Sequence, residues 1–210
     1  MTAKTYDRQT AKFLAVVGEN MPELSGDVMQ RWIQNPRAVQ KALSNAFCSP
    51  DPEFNIWKTI NLGTGLKTAD DFRKALKDNG FDISHWADDI LGKPAFTVAT
   101  ETIEVDLVKV TLAELGFKKG ARSDQIYERA KELGLELCPP EVGPQLRLQC
   151  QDQPNNEWVL IWMEPIIDSA GHPRVFLVGC LTSKLWLCGS LDWDNPDFIW
   201  DPADFLVFCK

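Results

Sequence analysis

Residues 57–94 read WKTINLGTGLKTADDFRKALKDNGFDISHWADDILGKP and contain the clearest turn and helix signals in the chain. Ahead of the glycines, residues 54–62 alternate well enough between apolar and polar side chains to predict a strand. Gly63-Thr64-Gly65 then predicts a tight turn, because glycine adopts backbone conformations that other residues avoid. We therefore interpret this stretch as the joint around which the chain is organised.

Two helices are predicted after that turn. Thr68 is a helix-capping residue, and Asp71 stands three positions later, where its carboxylate can bind the backbone N–H of the cap in return. Asn79-Gly80 ends this helix, since glycine tolerates the left-handed conformation that follows a helix. Ser84 caps a second, short helix over residues 85–91. The stretch therefore predicts a helical hairpin.

N-terminal helices are predicted before the hairpin. Apolar residues recur three to four positions apart over residues 8–46, and Asn35-Pro36 interrupts the pattern. Residues 48–52 include two prolines and form the best candidate boundary. We expect an N-terminal helical segment over residues 1–50 and an α+β domain over residues 51–210.

After residue 135 the chain becomes rich in strand candidates that are separated by turn-forming clusters. The candidates are residues 145–151, 157–167, 174–180, 184–190 and 205–209. Short connections between them favour antiparallel neighbours. The predicted fold class is α+β, with N-terminal helices, a central helical hairpin and a C-terminal antiparallel β-sheet.

The charge of the chain disfavours nucleic acid as a partner. The net charge is −8 and the isoelectric point is about 4.8, whereas nucleic-acid-binding domains gain most of their affinity from a basic surface. Residues 151–210 contain nine Asp or Glu and only three Lys or Arg, so the C-terminal part is clearly acidic.

The cysteines and histidines do not form a recognisable metal or catalytic pattern. The chain has six Cys and two His, with no closely spaced Cys pair, so we expect no zinc site and no cofactor. Only His85 and His172 are available as a histidine base, and neither lies in a context typical of a catalytic triad. The start of the chain resembles no signal peptide and no run is long enough for a membrane span, so we expect a cytoplasmic protein with reduced thiols and no membrane association.

The Gly63-Thr64-Gly65 turn, with Lys67 and Thr68 at the start of a helix, invites comparison with a phosphate-binding loop. The spacing differs from that motif, because the lysine follows a leucine and too few residues separate the glycines. Asp70 and Asp71 also occupy the first helical turn, where they would repel a phosphate. A tight turn followed by a helix cap is the favoured interpretation.

The hairpin over residues 69–91 could also be a nucleic-acid-binding helix-turn-helix. Its second helix has no Lys or Arg and includes Asp88 and Asp89, whereas a recognition helix presents its side chains to the bases of the duplex. Nucleic-acid binding would require a basic face formed by Lys67, Lys74, Lys77 and Lys93. A hairpin packed on the core is the favoured interpretation.

A ligand-facing surface is predicted next to the Pro/Gly-rich loop at residues 138–145. Gln145, Arg147 and Gln149 would share one face of the strand candidate there, with Glu141 close by. An enzyme of small-molecule or nucleotide chemistry with a pocket near residues 138–149 is therefore one alternative.

The acidic loop at residues 192–204 contains two tryptophans, Trp193 and Trp200. Exposed tryptophan is enriched at protein interfaces, so this loop is the candidate surface for a partner. Our leading hypothesis is a non-catalytic binding or regulatory module that recognises a protein partner. The sequence does not fix an oligomeric state or decide whether the protein is an enzyme.

Four segments resemble a family of uncharacterised bacterial hypothetical proteins. These segments are residues 57–60, 62–77, 89–96 and 132–139. The likeness extends from about Met21 to near the C-terminus. It implies a bacterial, cytoplasmic protein, and because the family has no assigned activity it implies no functional residues.

Overall fold

The structure is a computed structural model that describes residues 8–19, 22–47, 53–190, 195 and 197–210. The chain divides into two compact units, an N-terminal unit of residues 1–51 and a C-terminal unit of residues 52–210. Among the described helices, none is long and apolar enough to cross a membrane.

The N-terminal unit contains three helices, α1 (Arg8–Glu19), α2 (Gly26–Gln34) and α3 (Pro36–Phe47). Ser25 caps α2 by accepting a hydrogen bond from the backbone N–H of Val28. The sequence therefore predicted the helices of this unit correctly, although the boundary proposed at residues 48–52 lies outside the described residues.

None of the side chains described between residues 11 and 43 is buried. The helices nevertheless have clear apolar faces, and Trp32 and Ile33 on α2 are 40% and 70% exposed. Most helical stability in proteins comes from burying such a face against other elements. The N-terminal unit therefore consists of amphipathic helices without an apolar core among its described residues.

The C-terminal unit is a mixed α+β fold. Its elements in chain order are β1 (Lys58–Leu62), α4 (Ala69–Asp78), β2 (Asp82–Ile83), α5 (His85–Leu91), β3 (Ile103–Thr111), α6 (Ser123–Glu132), α7 (Val142–Gln149), β4 (Trp158–Ile161), β5 (Ile166–Ile167), β6 (Pro173–Arg174), β7 (Phe176–Leu181), β8 (Lys184–Gly189) and β9 (Phe205–Cys209). Helices α4 and α5 begin at the predicted caps Thr68 and Ser84, but strand β2 lies between them and pairs with β8, where the sequence predicted a helical hairpin.

Seven strands form one sheet in the order β1-β3-β9-β4-β7-β8-β2, and β5 pairs with β6 in a separate ribbon. Two of the seven-stranded sheet's pairings, β4 with β9 and β2 with β8, are parallel. The prediction of an antiparallel sheet is therefore wrong for these strands. The reason is topological, because β9 does not follow its neighbour through a tight turn but enters the sheet between β3 and β4.

The sheet is covered by aromatic side chains on both faces. The strand registers place Phe176 and Phe208 on opposite faces. Phe176 lies with its ring centroid 6.1 Å from that of Phe96, while Phe208 lies 6.0 Å from Trp162. The ring of Tyr127 on α6 lies 5.3 Å from that of Trp162, so α6 covers the face of Phe208.

Helix α7 replaces the strand predicted over residues 145–151. The local alternation of Leu146 and Leu148 with polar residues is ambiguous, since a short segment can satisfy both periods. Glu141, Gln145 and Gln149 are four positions apart, which is the helical spacing. Their polar groups form hydrogen bonds with other parts of the chain on one side of the helix. These tertiary contacts stabilise the helical conformation over the strand.

Candidate functional site

The predicted ligand residues Glu141 and Gln145 are buried, with 0% and 1% of their surface exposed. The carboxylate of Glu141 accepts hydrogen bonds from the backbone N–H of Gly63 and of Ala99, each at 2.8 Å. The Gln145 amide donates to Glu141 Oε1 at 2.9 Å and to Thr64 Oγ1 at 2.8 Å. These groups hold two loops together inside the fold, so neither side chain lies on the exposed strand face that the sequence predicted, and a ligand-binding role for them stays a prediction.

Gln149 extends the same row of side chains along α7. Its amide donates to the carbonyl of Asn61 at 2.8 Å and accepts from the N–H of Asn61 at 2.9 Å. It also donates to Gln145 Oε1 at 3.0 Å. The side chain therefore binds the backbone of β1 as a neighbouring strand would, and α7 is fixed against β1 by polar contacts.

The Gly63-Thr64-Gly65 turn is required by packing. A Cβ atom at Gly63 would lie 2.1 Å from the carbonyl oxygen of Glu101, and the φ of Gly63 is +63°. Asp71 accepts the N–H groups of Lys67 and Thr68 at 3.0 and 2.9 Å, and the bond from Lys67 holds the pKa of Asp71 below its usual value. The backbone N–H groups at the start of α4 are therefore bound by the Asp71 carboxylate. This agrees with a tight turn followed by a helix cap.

Arg147, the third predicted ligand residue, is fully buried. Its guanidinium donates to Gln153 Oε1 at 2.8 Å, to the carbonyl of Gly179 at 3.1 Å and to the carbonyl of Cys150. The guanidinium carbon lies 5.3 Å from the ring centroid of Phe81, and burial lowers the pKa of the group. Arg147 therefore ties α7 to β7 from inside the fold and does not form part of a ligand surface.

Trp200 is 5% exposed, and its indole N–H donates to Ser123 Oγ at 2.9 Å. Its ring packs against Phe198 and Trp162 at centroid distances of 4.9 and 6.1 Å. Because most of its surface is buried within its own chain, Trp200 does not provide the exposed ring that the partner-surface prediction required. Trp193 lies outside the described residues.

The helical hairpin does not present a uniformly basic face. Lys74 pairs with Asp78, and Lys93 lies 3.1 Å from Asp89. The guanidinium of Arg73 binds two further carboxylates of the hairpin. Alternating charge of this kind gives little of the field that binds phosphates, so nothing here supports the nucleic-acid alternative.

A cleft of about 440 Å³ that the sequence did not predict lies on the sheet. It is lined by Ser84, Trp86, Trp158, Leu160, Leu177, Cys188, Gly189, Ser190, Trp200, Asp204 and Phe205. Leu160 of β4 pairs with Leu177 of β7, which pairs with Cys188 of β8. Because directly paired residues share a face of a sheet, this row forms an apolar floor across three strands.

Two glycines make room for the indole rings of the cleft. A Cβ at Gly179 would lie 2.0 Å from the ring of Trp158, and one at Gly189 would lie 2.8 Å from the Cβ of Trp86. Glycine within a strand often marks a close approach of another group, which is the signal that could have indicated this site. The pairing of each glycine with its tryptophan depends on tertiary contacts and is not visible in the local sequence.

A second, polar cleft of about 390 Å³ shares Trp158, Asp204 and Phe205 with the first. Its remaining lining residues are Asn155, Asn156, Glu157 and Ala203. Glu157 is already engaged, since Lys109 Nζ lies 2.8 Å from its Oε2. The two clefts together form a site with an apolar aromatic part and a part lined by amides and carboxylates, which we call the bipartite cleft.

The lining of the bipartite cleft combines apolar, aromatic and carboxylate-bearing residues. Neither set of lining residues includes a histidine, and the described residues contain no group of three or more His, Cys, Asp or Glu that could hold a metal ion. Its aromatic rings and carboxylates can contact a ligand that combines an apolar body with a positive charge.

No protein-family model matches this chain, and neither does any curated protein or any solved structure.

Proposed function

We propose that the protein is a non-catalytic binding module whose bipartite cleft takes up a segment of a protein partner in which a Lys or Arg adjoins apolar residues. The observation that carries this proposal is the pair of indole rings, Trp86 and Trp158, that line the cleft near Asp204, whose Oδ2 accepts the backbone N–H of Asp201 at 2.8 Å. Tryptophan and arginine dominate the binding energy of protein interfaces.

One aromatic ring of the cleft already binds a cation of its own chain. The guanidinium carbon of Arg174 lies 4.5 Å from the ring centroid of Trp86, which lines the cleft. Cations over aromatic faces are attracted by the electron-rich ring. A guanidinium or ammonium from a partner would use the same interaction on ring surface that remains accessible in the cleft.

Charge supports a basic partner. Residues 151–210, which supply most of the cleft, contain nine Asp or Glu and three Lys or Arg. Complementary charge accelerates encounter and selects against partners of the wrong sign. The acidic composition of this part of the chain therefore favours a basic segment over an acidic one.

The two compartments favour a peptide over a single small molecule. They measure about 440 and 390 Å³ and share one wall, so an extended peptide can place an apolar side chain in the first and a basic side chain in the second. Alternate side chains of an extended peptide commonly fill separate pockets in this way.

The test uses the full chain and two fluorescein-labelled hexapeptides, one of alternating leucine and arginine and one of alternating leucine and glutamate. We expect fluorescence anisotropy to show saturable binding of the arginine peptide only. Asp204→Asn should weaken this binding about tenfold, and Trp158→Ala should weaken it more. The matched control is Asp124→Asn, because Asp124 is an exposed carboxylate outside the cleft.

Equal binding of both peptides, or equal loss in the Asp204 and Asp124 variants, would contradict the proposal. Binding of free arginine amide as tightly as the peptide would assign the cleft to a small organic cation instead. Thermal melts of each variant separate loss of binding from loss of folding.

A further inference from the structure

We propose that Cys138 and Cys209 are an oxidation site at which a peroxide or disulfide oxidant forms an intramolecular disulfide. The two sulfur atoms lie 3.3 Å apart, although the residues are 71 positions apart in sequence. A disulfide bond is about 2.05 Å long, so the sulfurs need to approach by only a little over 1 Å.

Backbone contacts hold the two residues in this arrangement. Glu136 and Cys209 exchange two backbone hydrogen bonds of 2.9 Å, which fixes the segment before Cys138 beside the end of β9. The N–H of Cys138 also donates to the carbonyl of Trp162 at 2.8 Å. Because the two backbone segments are anchored next to the sulfur atoms, formation of the disulfide bond requires side-chain rotation and little backbone movement.

The other described cysteines have different neighbours. The thiol of Cys150 lies 3.3 Å from a carboxylate oxygen of Asp152, and that of Cys180 lies 3.8 Å from the side-chain oxygen of Asn155. Among the cysteines that the structure describes, only Cys138 and Cys209 are in contact through their sulfurs. Cys48 lies outside the described residues.

The reaction with hydrogen peroxide balances as two thiols and one peroxide giving one disulfide and two waters. One thiol loses its proton and attacks a peroxide oxygen, which releases water and leaves a sulfenic acid. The second sulfur attacks that sulfur, expels its hydroxyl group as water and gives up its own proton. The two electrons removed from the sulfurs reduce the peroxide.

Burial controls the rate of this reaction. Cys138 and Cys209 are 3% and 6% exposed, and burial raises the pKa of the Cys138 thiol well above its ordinary value. The thiolate is the reactive form, so the closed fold protects the pair. We expect oxidation to occur when the end of β9 opens, and therefore to accelerate under mildly destabilising conditions.

The disulfide would fasten a central strand of the sheet. Strand β9 lies between β3 and β4 and is the last of the described strands. A cross-link over a loop of this length restricts the unfolded chain strongly and is expected to raise the melting temperature by about 10 °C. The cysteine content of the sequence predicts reduced thiols, whereas this pair would make the stability of the fold depend on the redox state.

The full-length protein is incubated with hydrogen peroxide in buffer and in low urea, and the remaining thiols are then alkylated. We expect digestion without reductant and mass spectrometry to identify a peptide pair linked through Cys138 and Cys209. The melting temperature should rise and return to its starting value after treatment with dithiothreitol. Cys209→Ser should abolish the rise, whereas Cys180→Ser, a buried cysteine outside the pair, should retain it.

Three results would overturn the proposal. These are linkage of Cys138 to another cysteine, accumulation of sulfinic acid at Cys138 without a cross-link, and absence of any cross-link even after refolding from urea with oxidised glutathione. The peptide mapping uses the wild-type chain, so it decides the question even if the Cys209 variant does not fold.

Discussion

The N-terminal and C-terminal units show equally regular helical patterns but differ in what covers their apolar faces. Trp32 on α2 of the N-terminal unit is 40% exposed, whereas Phe72 on α4 of the C-terminal unit is completely buried. Periodicity in a sequence reports that a helix has an apolar face. Whether that face is buried depends on the elements that pack against it. In the C-terminal unit, the sheet and its neighbouring helices cover the apolar faces.

The largest expected effect contrasts one aromatic side chain from each unit. Phe72→Ala should lower the free energy of unfolding by about 3–5 kcal/mol, because it leaves a cavity in the core. Trp32→Ala should lower it by less than about 1 kcal/mol, because the ring is partly exposed in the N-terminal unit. Urea unfolding followed by circular dichroism measures both.

A large loss of stability in the Trp32 variant would break this comparison. It would mean that the apolar face of the N-terminal helices is buried in solution.

The next effect tests the polar interior of the C-terminal unit. Glu141→Gln should lower the free energy of unfolding by about 2–4 kcal/mol, since the amide can no longer accept both backbone N–H groups and one is left unpaired. Glu128 is exposed on α6, so Glu128→Gln should change stability by less than about 0.5 kcal/mol. If the two variants proved equally stable in urea, Glu141 would not hold the loops together.

The smallest effect concerns a polar contact near the surface of the same unit. Hydrogen bonds from the hydroxyl and backbone N–H of Ser169 lower the pKa of Asp89 from 3.8 to about 2. Because the folded-state pKa lies below the unfolded value, the carboxylate stabilises the fold above about pH 4, and this contribution is lost as the pH falls towards 2.

Melting temperatures of the wild type and Asp89→Asn should therefore differ at pH 5 and converge as the pH approaches 2. A difference that stays constant over this range would show that ionisation of Asp89 does not contribute to stability.

Local signals predicted local structure well. The caps Thr68 and Ser84 act over three residues, and both begin helices where the sequence placed them. The strand predicted at residues 145–151 failed because its environment is distant in sequence, since Gln149 binds Asn61 from 88 positions away. No pattern within a short window contains that contact.

The candidate site was missed for the same reason. The bipartite cleft requires Gly179 to lie under Trp158, and this depends on the register between β4 and β7. Glu141, Gln145 and Arg147 were predicted as ligand-facing because polar and apolar residues alternate beside the Pro/Gly-rich loop. Their polar groups serve the interior of the fold, which the sequence could not distinguish from a wet surface.

The contact between Gln149 and Asn61 has a consequence for self-association. Strand β1 is the outermost strand at its end of the sheet, and unpaired backbone groups on such a strand can recruit a strand from another molecule. The Gln149 amide occupies both backbone groups of Asn61. The Gln149 side chain therefore occupies the backbone groups of Asn61, the fourth of the five residues of β1, and these groups cannot pair with a strand from another molecule while it is bound.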